Sequence, residues 1–223
     1  MNDVALLRLL HLVSPALPIG AYAYSQGLET AISRGWVRDE TTTRDWLCGV
    51  LTHAVTRVDL PVAHRLYERW LRDDDAGVAR WSSFLTACRE TRELRAEDLH
   101  LGRSLARLLV TLDVSVARPW MSSTTSTWAT SFTLAATHYG VSARAALLGY
   151  AWAWAENQVA AAIKAVPLGQ SAGQRVLSSL LVQIPACVDA ALSMDDDDIG
   201  FAAPGFALVS MWHETEYTRL FQS

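Results

Sequence analysis

The chain has 223 residues, a formal net charge of −4 at neutral pH and 51% hydrophobic residues, with Trp occurring nine times. That length predicts one domain with ample apolar material for a core, and the acidic balance argues against a nucleic-acid partner, which selects clustered Lys and Arg. Cys48, Cys88 and Cys187 are odd in number and form no C-x-x-C pair, which predicts reduced thiols packed as small apolar residues in a cytoplasmic protein.

Taken in chain order, the predicted elements are helices. Val4 to Val13 reads as a short apolar helix stopped by Ser14-Pro15. The flanking Asp3 and Arg8 and the lack of a small-residue cleavage site are unlike a signal peptide. SPALPIGAYAYSQGLE, residues 14–29, is a loop stiffened by two prolines and two glycines around Tyr22 and Tyr24. Ser25 to Ser33 forms the next helix, with Gly35 just past its end. In Thr41 to Val58, residues Leu47, Val50, Leu51, Ala54 and Val58 share one helical stripe. Asp59 is expected to cap a new helix, with Pro61 in its first turn, that reaches about Arg72.

Arg80 to Leu112 reads as one or two helices, and Asp98 is a carboxylate on the stripe of Leu94, Leu101, Leu105, Leu108 and Leu112. A connector with Pro119 and Ser122 to Ser126 leads to helices over Thr127–Tyr139 and Ser142–Val166, parted by Gly140. Gln170 to Leu192 follows, with Pro185 expected to kink it. Asp195 to Asp198 is a loop or helix end, and a last helix lies within Pro204–Phe221. No alternating run demands a strand. The expected fold class is all-α, a single-domain bundle of about eight to ten helices over residues 1–223. Ser142–Val166 is apolar nearly all round and is expected at the centre. The longest apolar run, Ala145–Ala155, is shorter than the ~20 residues of a membrane span, so no membrane is expected.

No chemistry assembles from the side chains. There is no G-x-x-x-x-G-K-[ST] phosphate loop and no H-E-x-x-H; GQSAGQR has the wrong spacing and no Lys. His213 and Glu216 are too few for a metal site. TRELRAEDLHLGRSL packs Arg92, Glu93, Arg95, Glu97 and Asp98 together, as either a solvated face or a surface whose mixed charges select a partner. Glu156 and Lys164, on one face of a helix that also carries Asn157 and Gln158, pose the same choice.

SPALPIGAYAYSQGLE resembles the N-terminal signature of the urease accessory protein F (UreF) family. ETRELRAEDLHLGRSLARLL, WAENQVAAAIKAVPLGQSAGQRVL and APGFALVSMWHETEYTRLFQS resemble further segments of that family in the same order, so the resemblance runs from Leu6 to Ser223. It implies a non-enzymatic, all-helical, homodimeric chaperone subunit. Such a subunit bridges a scaffold accessory protein, D or H, and the P-loop GTPase accessory protein G, and helps to load nickel into apo-urease. No cofactor is then bound directly; nickel and GTP are handled by the partners. The expected partner-binding residues are Tyr22, Tyr24, Glu29, Arg92, Glu93, Arg95, Glu156, Lys164, Glu214, Tyr217 and Arg219. Tyr22 and Tyr24 are expected as anchors presented by a pre-ordered loop. The tail HETEYTRLFQS is expected to be loose until it orders on the scaffold, the other reading being that Leu220 and Phe221 pack on its own bundle. Two further readings stay open. One is a GTPase-activating or fidelity-regulating module that supplies Arg92, Arg95 or Arg175 to a partner. The other is a helical hydrolase or metalloenzyme using Asp98, His100 or the His213–Glu216 stretch.

Overall fold

A computed structural model describes residues 1–200 and 203–223 of the chain. Among the described residues there are ten α-helices and no strand, as the all-α reading expects. They are α1 (Asp3–Leu12), α2 (Leu28–Ser33), α3 (Glu40–Val50), α4 (Leu60–Leu71), α5 (Asp75–Ala87), α6 (Arg92–Thr111), α7 (Trp128–His138), α8 (Ala143–Ala165), α9 (Gln170–Leu192) and α10 (Pro204–His213). Several begin where a side chain accepts an otherwise orphaned backbone N–H. Asn2 accepts from Ala5 N at 2.8 Å and Thr91 from Leu94 N at 3.1 Å. Asp39 and Thr42 form a reciprocal capping box.

Asp59 is not a cap. Residues Leu51–Asp59 wind as a π-helix that joins α3 to α4 without a break, and Asp59 itself is helical. The reason lies in the side chain, which turns inward to Arg89. Arg89 follows α5; its Nη2 lies 2.6 Å from Asp59 Oδ1 and its Nε donates to Asp98 Oδ2 at 2.8 Å. Asp98 Oδ1 accepts the Trp128 backbone N–H at 2.8 Å, at the first turn of α7, and Tyr150 Oη on α8 lies 3.3 Å from Asp59 Oδ1. Burial opposes the charge on Arg89, but the two carboxylates outweigh it and hold the guanidinium protonated well above its ordinary range. Burial pushes Asp98 up, against the pull of Arg89.

The central helix is α8, which packs on α9, α4, α7, α2, α3 and α1. Its most buried stripe is Leu147, Tyr150, Ala151, Ala155, Gln158, Val159 and Ala162, while Leu148, Trp152 and Ile163 are only half-buried. Alanine and glycine permit close approach here: a Cβ on Gly173 of α9 would lie 2.5 Å from Ile163 Cδ1. α9 continues past Pro185 to Leu192. A smaller cluster of Leu28, Ala31, Val37, Ala161, Ala162, Val166, Val209 and Phe221 joins α2, α8, α10 and the tail.

Two expectations follow for urea denaturation. Phe132→Ala, at a fully buried site, should cost about 3–5 kcal/mol, and Trp152→Ala clearly less. Arg89→Met leaves two buried carboxylates without a counter-charge and should cost about 3–5 kcal/mol.

Candidate functional site

The segments singled out in the sequence meet at one place. In the loop after α1, Gly20 turns at φ +82° and Ala21–Ala23 form a single 3-10 turn. Tyr22 is 70% exposed, but Tyr24 is only 6% exposed. Tyr24 faces inward, its ring centre 6.2 Å from that of His100, and its carbonyl accepts Asn157 Nδ2 at 3.3 Å. The loop therefore presents one tyrosine, not two: Tyr22 lies within the 3-10 turn and faces out, and the chain becomes extended at Tyr24, which faces the core. Gln26 and Gly27 then both adopt the left-handed region, at φ +54° and +75°. Gly27 is required twice over, since a Cβ would also lie 2.9 Å from Ser210 Oγ and Val209 Cγ2 of α10. This turn aims Gln26 inward. Its Nε2 donates to Glu97 Oε1 at 2.8 Å, and its Oε1 accepts Trp154 Nε1 at 2.9 Å.

The tail closes on this turn. Ser223 Oγ donates to Glu97 Oε2 at 2.5 Å, and its carbonyl accepts from Ser25 N at 2.9 Å and Ser25 Oγ at 2.7 Å. Gln222 N donates to the Ala23 carbonyl at 2.9 Å. The Glu29 carboxylate accepts Leu220 N at 2.6 Å and Phe221 N at 2.9 Å, and Arg219 pairs with Glu93. His213, fully enclosed, places Nδ1 2.6 Å from Glu93 Oε2 and Nε2 3.6 Å from Glu29 Oε2. Glu214 accepts the Glu93 backbone N–H at 3.2 Å, and Glu216 accepts from Ser33 Oγ at 3.1 Å.

The expectation of a loose tail is thus corrected. Phe221 completes the apolar cluster of α2, α8 and α10, the Glu29 carboxylate of α2 accepts two of the tail's backbone N–H groups, and Glu93 and Glu97 of α6 take its Arg219 and Ser223 side chains. Glu29, Glu93, Glu214 and Arg219 make contacts within the chain. Arg92 and Arg95 are exposed on the first turn of α6, Tyr217 is fully exposed, and Lys164 stands between loop and tail. Its Nζ lies 5.8 Å from the Tyr22 ring centre and 5.9 Å from that of Phe221. Arg175 belongs to another edge, where it pairs with Glu40. Among the described residues no three His, Cys, Asp or Glu side chains are grouped to hold a metal.

Beneath the loop lies a cleft that reaches from Tyr22 and Glu156 down to Asp59, Arg89 and Asp98. Burial raises the Glu156 carboxyl at its wall. Burial also pushes Glu97 up to about 7, against the lowering effect of its bonds from Ser223 and Gln26. Sequence reasoning placed Glu97 among surface charges and passed over Ser25, Gln26 and Ser223. The signal for Glu97 was its spacing, three residues after Leu94 and four before Leu101, on the inward stripe.

The UreF family model matches residues 37–181. The chain is 50% identical over 222 residues to urease accessory protein UreF of Chromohalobacter salexigens, spanning 100% of this chain and 96% of that protein. It is 48% identical over 216 residues to urease accessory protein UreF of Alkalilimnicola ehrlichii, with 97% and 95% covered. Its identity to urease accessory protein UreF of Hahella chejuensis is 44%, with both chains covered in full.

The raised Glu97 carboxyl binds a proton in the folded chain that the unfolded chain releases at lower pH. Its stabilising contribution is complete below the ordinary carboxyl range and fades as pH climbs to about 7. The melting temperature should therefore rise between pH 7.5 and pH 5, and Glu97→Gln should flatten that rise in a calorimetric pH series. Phe221→Ala should cost about 3–5 kcal/mol in urea, where a loose tail would cost nothing.

Proposed function

Because the chain belongs to the UreF family of urease accessory proteins, and so serves urease maturation, we propose that it acts there as a non-catalytic homodimeric subunit. In this reading it bridges a scaffold accessory protein, D or H, and the GTPase accessory protein G while nickel enters apo-urease in the cytoplasm. Nickel and GTP stay with the partners. The observation that carries the reading is the seam in which the loop, α6, α8 and the tail converge, with Tyr22 and Lys164 facing outward. A pinned surface loses little entropy on docking, and an exposed Tyr beside a cation is a favourable anchor pair. Glu29, Glu93, Glu214 and Arg219 then act indirectly, by holding the tail in the shape the partner meets.

A second reading, GTPase activation, is favoured by Arg92 and Arg95, which are exposed where α6 begins beside the seam. Arg175, tied to Glu40, is a weaker candidate.

Co-purification with the GTPase and the scaffold tests both. Lys164→Ala and Tyr22→Ala should each weaken capture of the GTPase about tenfold, roughly 1.4 kcal/mol, with circular dichroism unchanged. Normal capture by both variants places the contact elsewhere. If Arg92→Ala or Arg95→Ala slows GTP hydrolysis in the assembly while capture persists, the activator reading prevails over the scaffold.

A further inference from the structure

One face of α6 carries arginines that no carboxylate neutralises. With Arg92 as reference, the step of about 100° per residue puts Arg95, Arg103 and Arg107 within about 60° of it, along about 22 Å of the helix axis. Arg92, Arg95 and Arg107 are exposed, and Arg103 is half-buried. The acidic residues of the helix, Glu93, Glu97 and Asp98, are engaged elsewhere, in the seam and with Arg89. The connector extends the ridge: its 3-10 stretch Ser115–Met121 packs along α6 and carries exposed Arg118. Among the described residues, none of these five arginines pairs with a carboxylate. Neutral oxygens orient three of them instead. Arg103 Nε donates to the Ser123 carbonyl at 2.8 Å, Arg107 Nη2 to Ser104 Oγ at 2.9 Å and Arg95 Nη2 to the Arg89 carbonyl at 3.3 Å. Elsewhere the pattern is different: Arg44, Arg65, Arg69, Arg72, Arg144 and Arg175 each pair with a carboxylate.

We propose that this ridge docks an acidic segment of a partner protein, laid along α6 so that its carboxylates meet the guanidinium groups in turn. A guanidinium is a planar fork that takes a carboxylate with two parallel hydrogen bonds. Forks already held by neutral oxygens keep their charge and spare donors, and they lose less freedom on pairing. The arginines come as two pairs one turn apart, Arg92 with Arg95 and Arg103 with Arg107, a spacing that an acidic helix of about fifteen residues matches. At the far end Leu112 is 37% exposed and Val116 47% exposed, so an apolar side chain at that end of the segment has somewhere to rest. Exposed Glu90 and Asp113 stand just beyond the two ends of α6; they repel an anion that runs on past the ridge. That favours a short segment over a nucleic acid or an anionic membrane. Those long polyanions also meet the rest of a chain whose net charge is −4, whereas a short segment senses mainly the charges within about 10 Å. The inference does not rest on the bridging reading.

Fluorescence anisotropy on the full chain reads this contact. The probe is a labelled peptide of about fifteen residues, built of Ala with Glu at every third or fourth position. It should bind in the micromolar range at low salt and weaken as salt rises. Arg107→Glu combined with Arg118→Glu, both at exposed positions, should weaken binding about tenfold or more with circular dichroism unchanged. Arg175→Glu, the same change of charge at another edge, should leave binding nearly as it was. Single-stranded DNA of similar length and phosphatidylserine vesicles should bind less tightly than the peptide. An unbound peptide, an equal loss with Arg175→Glu, or tighter binding of DNA or vesicles overturns the inference. The assembly supplies a second readout. Of purified scaffold, GTPase and apo-urease, at least one should be captured about tenfold less by the double variant; normal capture of all three overturns the ridge as a docking surface. If the double variant loses capture while Tyr22→Ala and Lys164→Ala retain it, the ridge is upheld and the seam is not the contact.

Discussion

Arg89 occupies the short break between α5 and α6 and neutralises Asp59 and Asp98, carboxylates from two different stretches of the bundle. Two buried anions without it would be costly to desolvate, so the position of one guanidinium constrains everything that carries its partners. Asp98 fixes the rotation of α6 and spends its second oxygen on the first turn of α7. Asp59 fixes the rotation of the helix entering α4 and meets Tyr150 of α8. Four helices are registered against one another by a single charge, and the apolar contacts then fill in around that register.

The seam is a consequence of the same constraint. Glu97 is adjacent to Asp98, so once Asp98 points at Arg89, Glu97 is carried to the neighbouring inward azimuth of α6. There it meets Gln26 and Ser223 rather than solvent. One turn earlier on α6, Glu93 meets His213 and Arg219. The acid-rich segment is thus split by its own helical geometry. Two carboxylates serve the interior and its seam, one gathers the tail, and Arg92 and Arg95 remain outside.

Much of the bundle was legible because helix periodicity and capping are local. α3 starts at Glu40 and α7 at Trp128, each one residue from the expected starts at Thr41 and Thr127, and α9 runs to Leu192 as its stripe implies. Asp98 was visible as an anomaly on an apolar stripe, but its partner was not, since nothing local links position 98 to 89 and 59. Asp59 before Leu60-Pro61 carries a strong local capping signal, and a tertiary ion pair overrode it. Tyr24 and the tail show the other limit. Their composition marks them as anchors, yet composition does not say whether the socket lies on a partner or 198 residues away in the same chain, as it does for Ser25 and Ser223.

The π-helical stretch Leu51–Asp59 works as a phase element between two ordinary helices. A wider turn advances the chain around the axis more slowly than an α-helix does, so α4 leaves it at an azimuth that α3 alone would not deliver. An i→i+5 turn holds one residue more than an i→i+4 turn, where each residue of an α-helix turns by about 100°. That extra length lets the buried stripe of α3 and that of α4, with Leu60, Ala63, Leu66 and Trp70, face the core from one continuous helix while Asp59 meets Arg89.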